Sequence, residues 1–158
     1  MIARILVATD FSPRSDRALR RGILLARQNA TELQLTHVVD DDQPQRLIDV
    51  ERREAAALLD ELASTIRESD GIDCEGHVAT GDAFQGIVRM AEETGVDLLV
   101  LGPHRRQVLR DVFIGTTAER VLRTSRMPVL LANGVPAGAY RKVLIASDLS
   151  NYAYAAAD

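Results

Sequence analysis

Short apolar runs alternate with longer amphipathic stretches along this 158-residue chain. Ile5–Ala8, Leu33–Val39, Val96–Leu101 and Pro128–Ala132 are rich in branched residues and bounded by polar or turn residues. Runs of this length with few polar interruptions suit strands covered on both faces, as in a parallel sheet. Asp73–Ala79 is a weaker strand of the same kind. Between the strands the spacing becomes helical. Leu19, Gly22, Ile23 and Ala26 fall at i, i+3, i+4 and i+7, and Ser12-Pro13 offers a capping hydroxyl and a proline for the first turn. A second helix is expected over Gln45–Ser69, with Leu58, Leu59, Leu62 and Ile66 inward and Glu51, Arg52 and Arg53 outward. Gly81-Asp82 reads as turn and cap for a helix carrying Ile87, Met90 and Ala91, and a last helix over Gly115–Thr124 leads into the final strand. The order βαβαβαβαβ predicts an α/β fold, a doubly wound five-stranded parallel sheet with helices on both faces.

Composition narrows the class. Hydrophobic residues make up 46% and charged residues 27%, which excludes a disordered tail or a coiled coil. With 23 Asp and Glu against 19 Lys and Arg, the net charge of -4 argues against a dedicated nucleic-acid binder, which needs a basic face. The single cysteine, Cys74, cannot support an internal disulfide or a cysteine-based zinc site. The apolar run before Asp10 is too short for a signal peptide, and no stretch approaches a membrane span. The expectation is a soluble, cytoplasmic protein with neither nucleic acid nor membrane as partner.

The C-terminal part repeats the beginning. Asn133–Ala139 is rich in Gly and Pro, and the segment Arg141–Ser150 lays over Ala3–Ser12. Leu6/Leu144, Ala8/Ala146, Asp10/Asp148 and Ser12/Ser150 are identical. Two buried strands of one parallel sheet can look alike; alternatively a second copy of the domain begins here. The second reading divides the chain into a domain at 1–133, a linker at 134–140 and a truncated copy at 141–158. Since a lone strand cannot bury a core, Arg141–Ala146 is expected to add to a sheet edge, of this chain or of a partner.

In a doubly wound sheet the ligand crevice lies beyond the carboxyl ends of the strands, where the winding reverses. Asp10, at the end of the first strand, could accept hydrogen bonds from ribose hydroxyls or simply brace the turn into the helix. Gly102 ends the fourth strand, and Gly115-Thr116-Thr117 opens the last helix, where backbone N–H groups suit phosphate oxygens. The segment is neither a Walker loop nor a G-x-G-x-x-G. Together with VATDFS, HVVD, DLLVLG and ERVLRTSRMPVLL, it resembles the universal stress protein family over about residues 2–133.

That resemblance implies a Rossmann-like (adenine nucleotide alpha hydrolase-like) five-stranded parallel sheet, often dimeric and sometimes tandem, with ATP-binding and non-binding members. Against the nucleotide signature G-x2-G-x9-G-[ST], Gly102, Gly115 and Thr116 match, while Arg105 replaces the second glycine. By the same similarity Asp10 would face the ribose, Val38 would meet the adenine through its backbone, and Gly102, Gly115, Thr116 and Thr117 would cradle phosphates. An arginine forced into a left-handed conformation costs about 1–2 kcal/mol. Its guanidinium could instead clamp phosphate. Pro103 removes an amide donor.

His104, Arg105, Arg106 and Arg110 make the same loop basic, as a solvated loop or an anion contact. His37 and His77 read as satisfied strand residues, Cys74 as a buried small residue, and Asp40–Asp42 as a solvated loop rather than a metal site. No nucleophilic triad or acid–base carboxylate pair stands out. The reading is a non-catalytic regulatory or interaction module of the stress response. It would be dimeric through Val129–Ala132, or pseudo-dimeric with a tandem copy, and would act on a protein partner. The alternative is an ATP or adenine-nucleotide switch, with Arg105 as an unusual clamp. A slow nucleotide hydrolase would have only His104 and Asp111 near the γ-phosphate.

Overall fold

Strand and helix alternate through β1 (Arg4–Ala8), α1 (Ser15–Asn29), β2 (Glu32–Val39), α2 (Gln45–Asp70), β3 (Cys74–Thr80), α3 (Ala83–Thr94), β4 (Leu98–Leu101), α4 (Thr116–Thr124) and β5 (Val129–Leu131). The computed structural model describes residues 2–103 and 116–148. All four strand pairings are parallel, in the order β3-β2-β1-β4-β5. The chain winds outward from β1 to β3 and then returns to the other side of β1 for β4. The reversal therefore falls between β1 and β4, the neighbours on which the expected crevice depends.

The pleat of β1 splits the core in two. Ile5 and Val7 face α1 and α2, packing with Ala18, Leu59, Ala63 and Ile66. Leu6 and Ala8 face α3 and α4, packing with Ile87, Ala91, Ala118 and Val121. Ile5, Leu6 and Val7 are completely buried, as an uninterrupted apolar run in a central parallel strand requires.

The starts of α1 and β4 and the inward face of α2 differ from the sequence expectation. Regular helix starts at Ser15 rather than Pro13, yet Ser12 is still the cap: its Oγ accepts the Arg14 amide at 3.3 Å, and its carbonyl accepts the Asp16 amide at 3.2 Å. Strand β4 starts at Leu98 because Asp97 braces the sheet end instead, its Oδ2 accepting the amides of Ala3 at 2.7 Å and Arg4 at 3.0 Å. Leu58 is 43% exposed, since the buried stripe of α2 runs through Ala55, Leu59, Ala63 and Ile66 and Leu58 lies one helical step outside it. Asp82 caps α3 as expected, accepting the Phe84 amide at 3.0 Å.

The segment after β5 departs from one half of a further expectation, the pairing with a sheet edge of this chain. Among the described residues Arg141–Ala146 forms no strand and adds to no sheet edge. Residues 133–140 instead lie as a strap on α1. Arg17 Nη1 donates to the Asn133 carbonyl at 2.8 Å, Arg21 Nη1 donates to the Gly138 carbonyl at 3.0 Å, and the Arg21 guanidinium covers the Tyr140 ring at 4.1 Å. The strap thus delivers the chain to the helix layer, one layer away from the sheet whose edges it was expected to reach.

Candidate functional site

A cleft of about 310 Å³ opens beyond the carboxyl ends of β1, β2 and β4. The turn leaving β1 shapes its rim. The Thr9 amide extends the ladder by donating to the Thr36 carbonyl at 2.9 Å, and Thr9 Oγ1 accepts the Phe11 amide at 3.0 Å. Phe11 adopts φ 57°, unusual for a non-glycine residue, which turns the chain sharply toward α1. Its ring lies 4.5 Å from the His37 ring, and His37 Nδ1 donates to the Thr9 carbonyl at 2.9 Å. His37 is therefore satisfied, as expected, and it also lines the cleft.

Asp10 stands on this rim, exposed, with Oδ1 accepting the Ser12 amide at 3.0 Å. Partial desolvation works to raise its pKa. Hydrogen bonds from the Ser12 and Ser15 hydroxyls and the Ser12 amide outweigh this and hold the carboxyl below its ordinary value. Asp10 thus braces the turn and at the same time presents an ionised carboxylate to the cleft.

Opposite Asp10, Gly102 follows β4. A β-carbon at Gly102 would lie 2.8 Å from the Arg14 carbonyl oxygen and 3.1 Å from Ser15 Cα, so the glycine lets the strand end pass directly against the start of α1. That demand for glycine comes from the fold itself. Pro103, beside it on the wall, has no N–H to offer an anion. Helix α4 begins at Thr116, and half-buried Thr117 faces the cleft from its first turn, where unpaired amides favour negative charge. Apolar walls come from Ala8, Val38, Ile87, Leu101 and Ala118.

The structure thus brings together Asp10, Val38, Gly102 and Thr117 on one cleft, with Thr116 at the helix start beside it. Arg105 and Gly115, with His104, Arg106, Arg110 and Asp111, lie outside the described residues. Four polar lining residues went unremarked in the sequence or were given no part in the site: Arg14, Ser15, Thr36 and His37. Arg14 places a cation on the rim, and Thr36 Oγ1 is buried without a hydrogen-bond partner. The only sequence signal for Arg14 and Ser15 was their place just after Ser12-Pro13, at a helix start.

The remaining candidates sit apart. Cys74 is fully buried and burial pushes its thiol up to about 12, which makes it unreactive at neutral pH. His77 departs from expectation: its Nε2 is buried without a hydrogen-bond partner, 4.0 Å from the Glu75 carboxylate. Asp40 Oδ1 accepts the Asp42 amide at 3.0 Å within a loop, and no three metal-ligating side chains converge among the described residues. No helix among the described residues is long and apolar enough to cross a membrane.

Comparison with known proteins agrees with this geometry. The model of the universal stress protein family matches residues 1–133, the whole of the sheet and its helices. The chain belongs to the universal stress protein family. Universal stress protein MJ0577 of Methanocaldococcus jannaschii is 25% identical, the match covering 83% of this chain and 94% of that protein. The structure of the universal stress protein from Archaeoglobus fulgidus in complex with dAMP is 25% identical with a TM-score of 0.63, covering 84% of this chain and all of that one. A further universal stress protein structure, from Archaeoglobus fulgidus DSM 4304, is 27% identical with a TM-score of 0.64 and covers 82% of this chain but only 43% of that one.

Proposed function

We propose that this universal stress protein is a non-catalytic regulatory module whose cleft takes an adenine nucleotide as its signal. The convergence of Asp10, Val38, Gly102 and Thr117 on one cleft at the reversal point of the sheet carries the reading. The dAMP bound by the Archaeoglobus fulgidus relative supports it. Val38 and Ile87 offer apolar cover for a purine, the Val38 backbone its polar edge, and the Asp10 carboxylate the ribose hydroxyls. Arg14 and the start of α4 place positive potential where a phosphate would follow. Arg105 would fold over that phosphate as a clamp, in place of the glycine of the family signature.

The titratable groups of the cleft favour binding over hydrolysis. Asp10 is held below the ordinary carboxylate range and is therefore a weak base. His37 has its Nδ1 committed to the Thr9 carbonyl. Signal output would pass to a protein partner through a dimer whose contact is the outer edge of β5.

Titration calorimetry with dAMP, AMP and ATP plus Mg²⁺ tests the cleft. Saturable heat is expected, and Asp10→Ala should weaken binding about tenfold, equivalent to about 1.4 kcal/mol. No heat at millimolar concentration of any of the three nucleotides would remove the nucleotide from the function.

A further inference from the structure

Helices α3 and α4 both wall the cleft near their starts, α3 with Ala83 and Ile87 and α4 with Thr117 and Ala118. The two helices are held by unequal means. Helix α3 rests on β2 where Gly86 meets Val38, so closely that no side chain would fit between them. Helix α4 is seated by Ala118 and Val121, buried in the core on that side of the sheet. Apolar burial of this kind has no direction of its own, so it leaves the aim of the helix start open.

One polar assembly joins the two starts. Asp82 divides its carboxylate: Oδ1 accepts the Phe84 amide at 3.0 Å, and Oδ2 accepts a hydrogen bond from Arg120 Nη1 at 3.0 Å. The Arg120 guanidinium also lies over the Phe84 ring, 3.6 Å from its centroid. Both partners belong to the start of α3. A charged hydrogen bond and a ring face engaged together fix direction as well as distance. Arg120 stands three residues after Thr117, on the same face of α4. Whatever holds Arg120 therefore holds the turn whose unpaired amides border the cleft. The Arg120 and Asp82 side chains are 52% and 44% exposed, so the pair adds little to overall stability. Its consequence is geometric.

We propose that Arg120 is a positioning residue of the cleft: held by Asp82 and Phe84, it aims the first turn of α4 at the phosphate of the bound nucleotide. The inference rests on the adenine-nucleotide reading of the cleft. Hydrogen bonds weaken steeply with misalignment, so a displaced helix start loses the phosphate while Val38 and Asp10 keep the base and ribose.

Calorimetry with AMP and with adenosine, on the unaltered protein and three variants, tests this. Asp82→Asn keeps an oxygen for the Phe84 amide, so α3 retains its cap while Arg120 loses its anionic partner. AMP binding should weaken about fivefold in Asp82→Asn, with adenosine binding unchanged. Arg120→Ala should show the same split more strongly, and Arg120→Lys should recover part of the loss. If Arg120 were only a charge that attracts phosphate, Asp82→Asn would free it and tighten AMP. Unchanged or tighter AMP binding in Asp82→Asn would therefore overturn the inference alone. Equal weakening of AMP and adenosine would overturn it too, since the whole cleft would then have loosened. Absence of AMP binding by the unaltered protein would instead remove the nucleotide reading, and the positioning role with it.

Discussion

Gly102 answers to two demands that coincide in one residue. The proposed nucleotide site would use a glycine there to admit a phosphate, and the fold places one there because the Arg14 carbonyl lies 2.8 Å from where a β-carbon would be. Backbone cannot yield as a side-chain tip can. Gly102→Ala should therefore destabilise the protein by about 1–3 kcal/mol in denaturant unfolding, whether or not nucleotide is present. An unchanged midpoint would mean that α1 is free to shift. Asp10 and Gly102 were legible in the sequence because each follows an apolar strand run, whereas Val38 came only from what the family resemblance implies. Arg14 and Ser15 were not, since their places on the cleft depend on the turn at Phe11, whose φ of 57° no periodicity announces.

Helix α3 reaches the cleft through a similarly close contact. A β-carbon on Gly86 would lie 2.7 Å from Val38 Cγ1 and 2.8 Å from Cγ2, so α3 rests directly on the residue expected to meet the adenine. Gly86→Ala should cost about 1–3 kcal/mol and weaken nucleotide binding as Val38 is displaced. Adding Val38→Ala should recover part of the stability, and a double-mutant cycle would read the coupling. Additive effects would show that the two residues do not share the contact. Element order and type followed from the alternation of run lengths. The start of β4 and the inward face of α2 followed less well, because Asp97 bonding to the Ala3 and Arg4 amides and Leu58 lying beside its stripe are decided by neighbours distant in sequence.

At the scale of the molecule, the two sheet edges differ. Strand β3 carries the exposed Glu75, which discourages pairing, whereas β5 is the apolar Val129-Leu130-Leu131 and among the described residues pairs with β4 alone. The Ala132 amide donates to the Leu101 carbonyl at 2.8 Å, so the alternation of the ladder turns the Leu131 N–H away from β4. Sedimentation should show a dimer, and Leu131→Pro, which removes that outward donor, should give a folded monomer. A variant that stays dimeric would place the contact elsewhere. The repeat after residue 140 was visible in the sequence, while its detachment from the first sheet was not, because the Arg21 clasp involves residues with no apolar pattern.

Helix α1 joins the two ends of this account. Arg14 and Ser15 at its start form the cleft rim, and Arg17 and Arg21 farther along hold the strap. A helix moves as a stiff rod, and only about 10 Å of it separates rim from clasp. Any tilt that a ligand imposes on the rim is therefore transmitted to the anchor point. Filling the crevice and re-aiming whatever follows residue 140 would then be a single mechanical event.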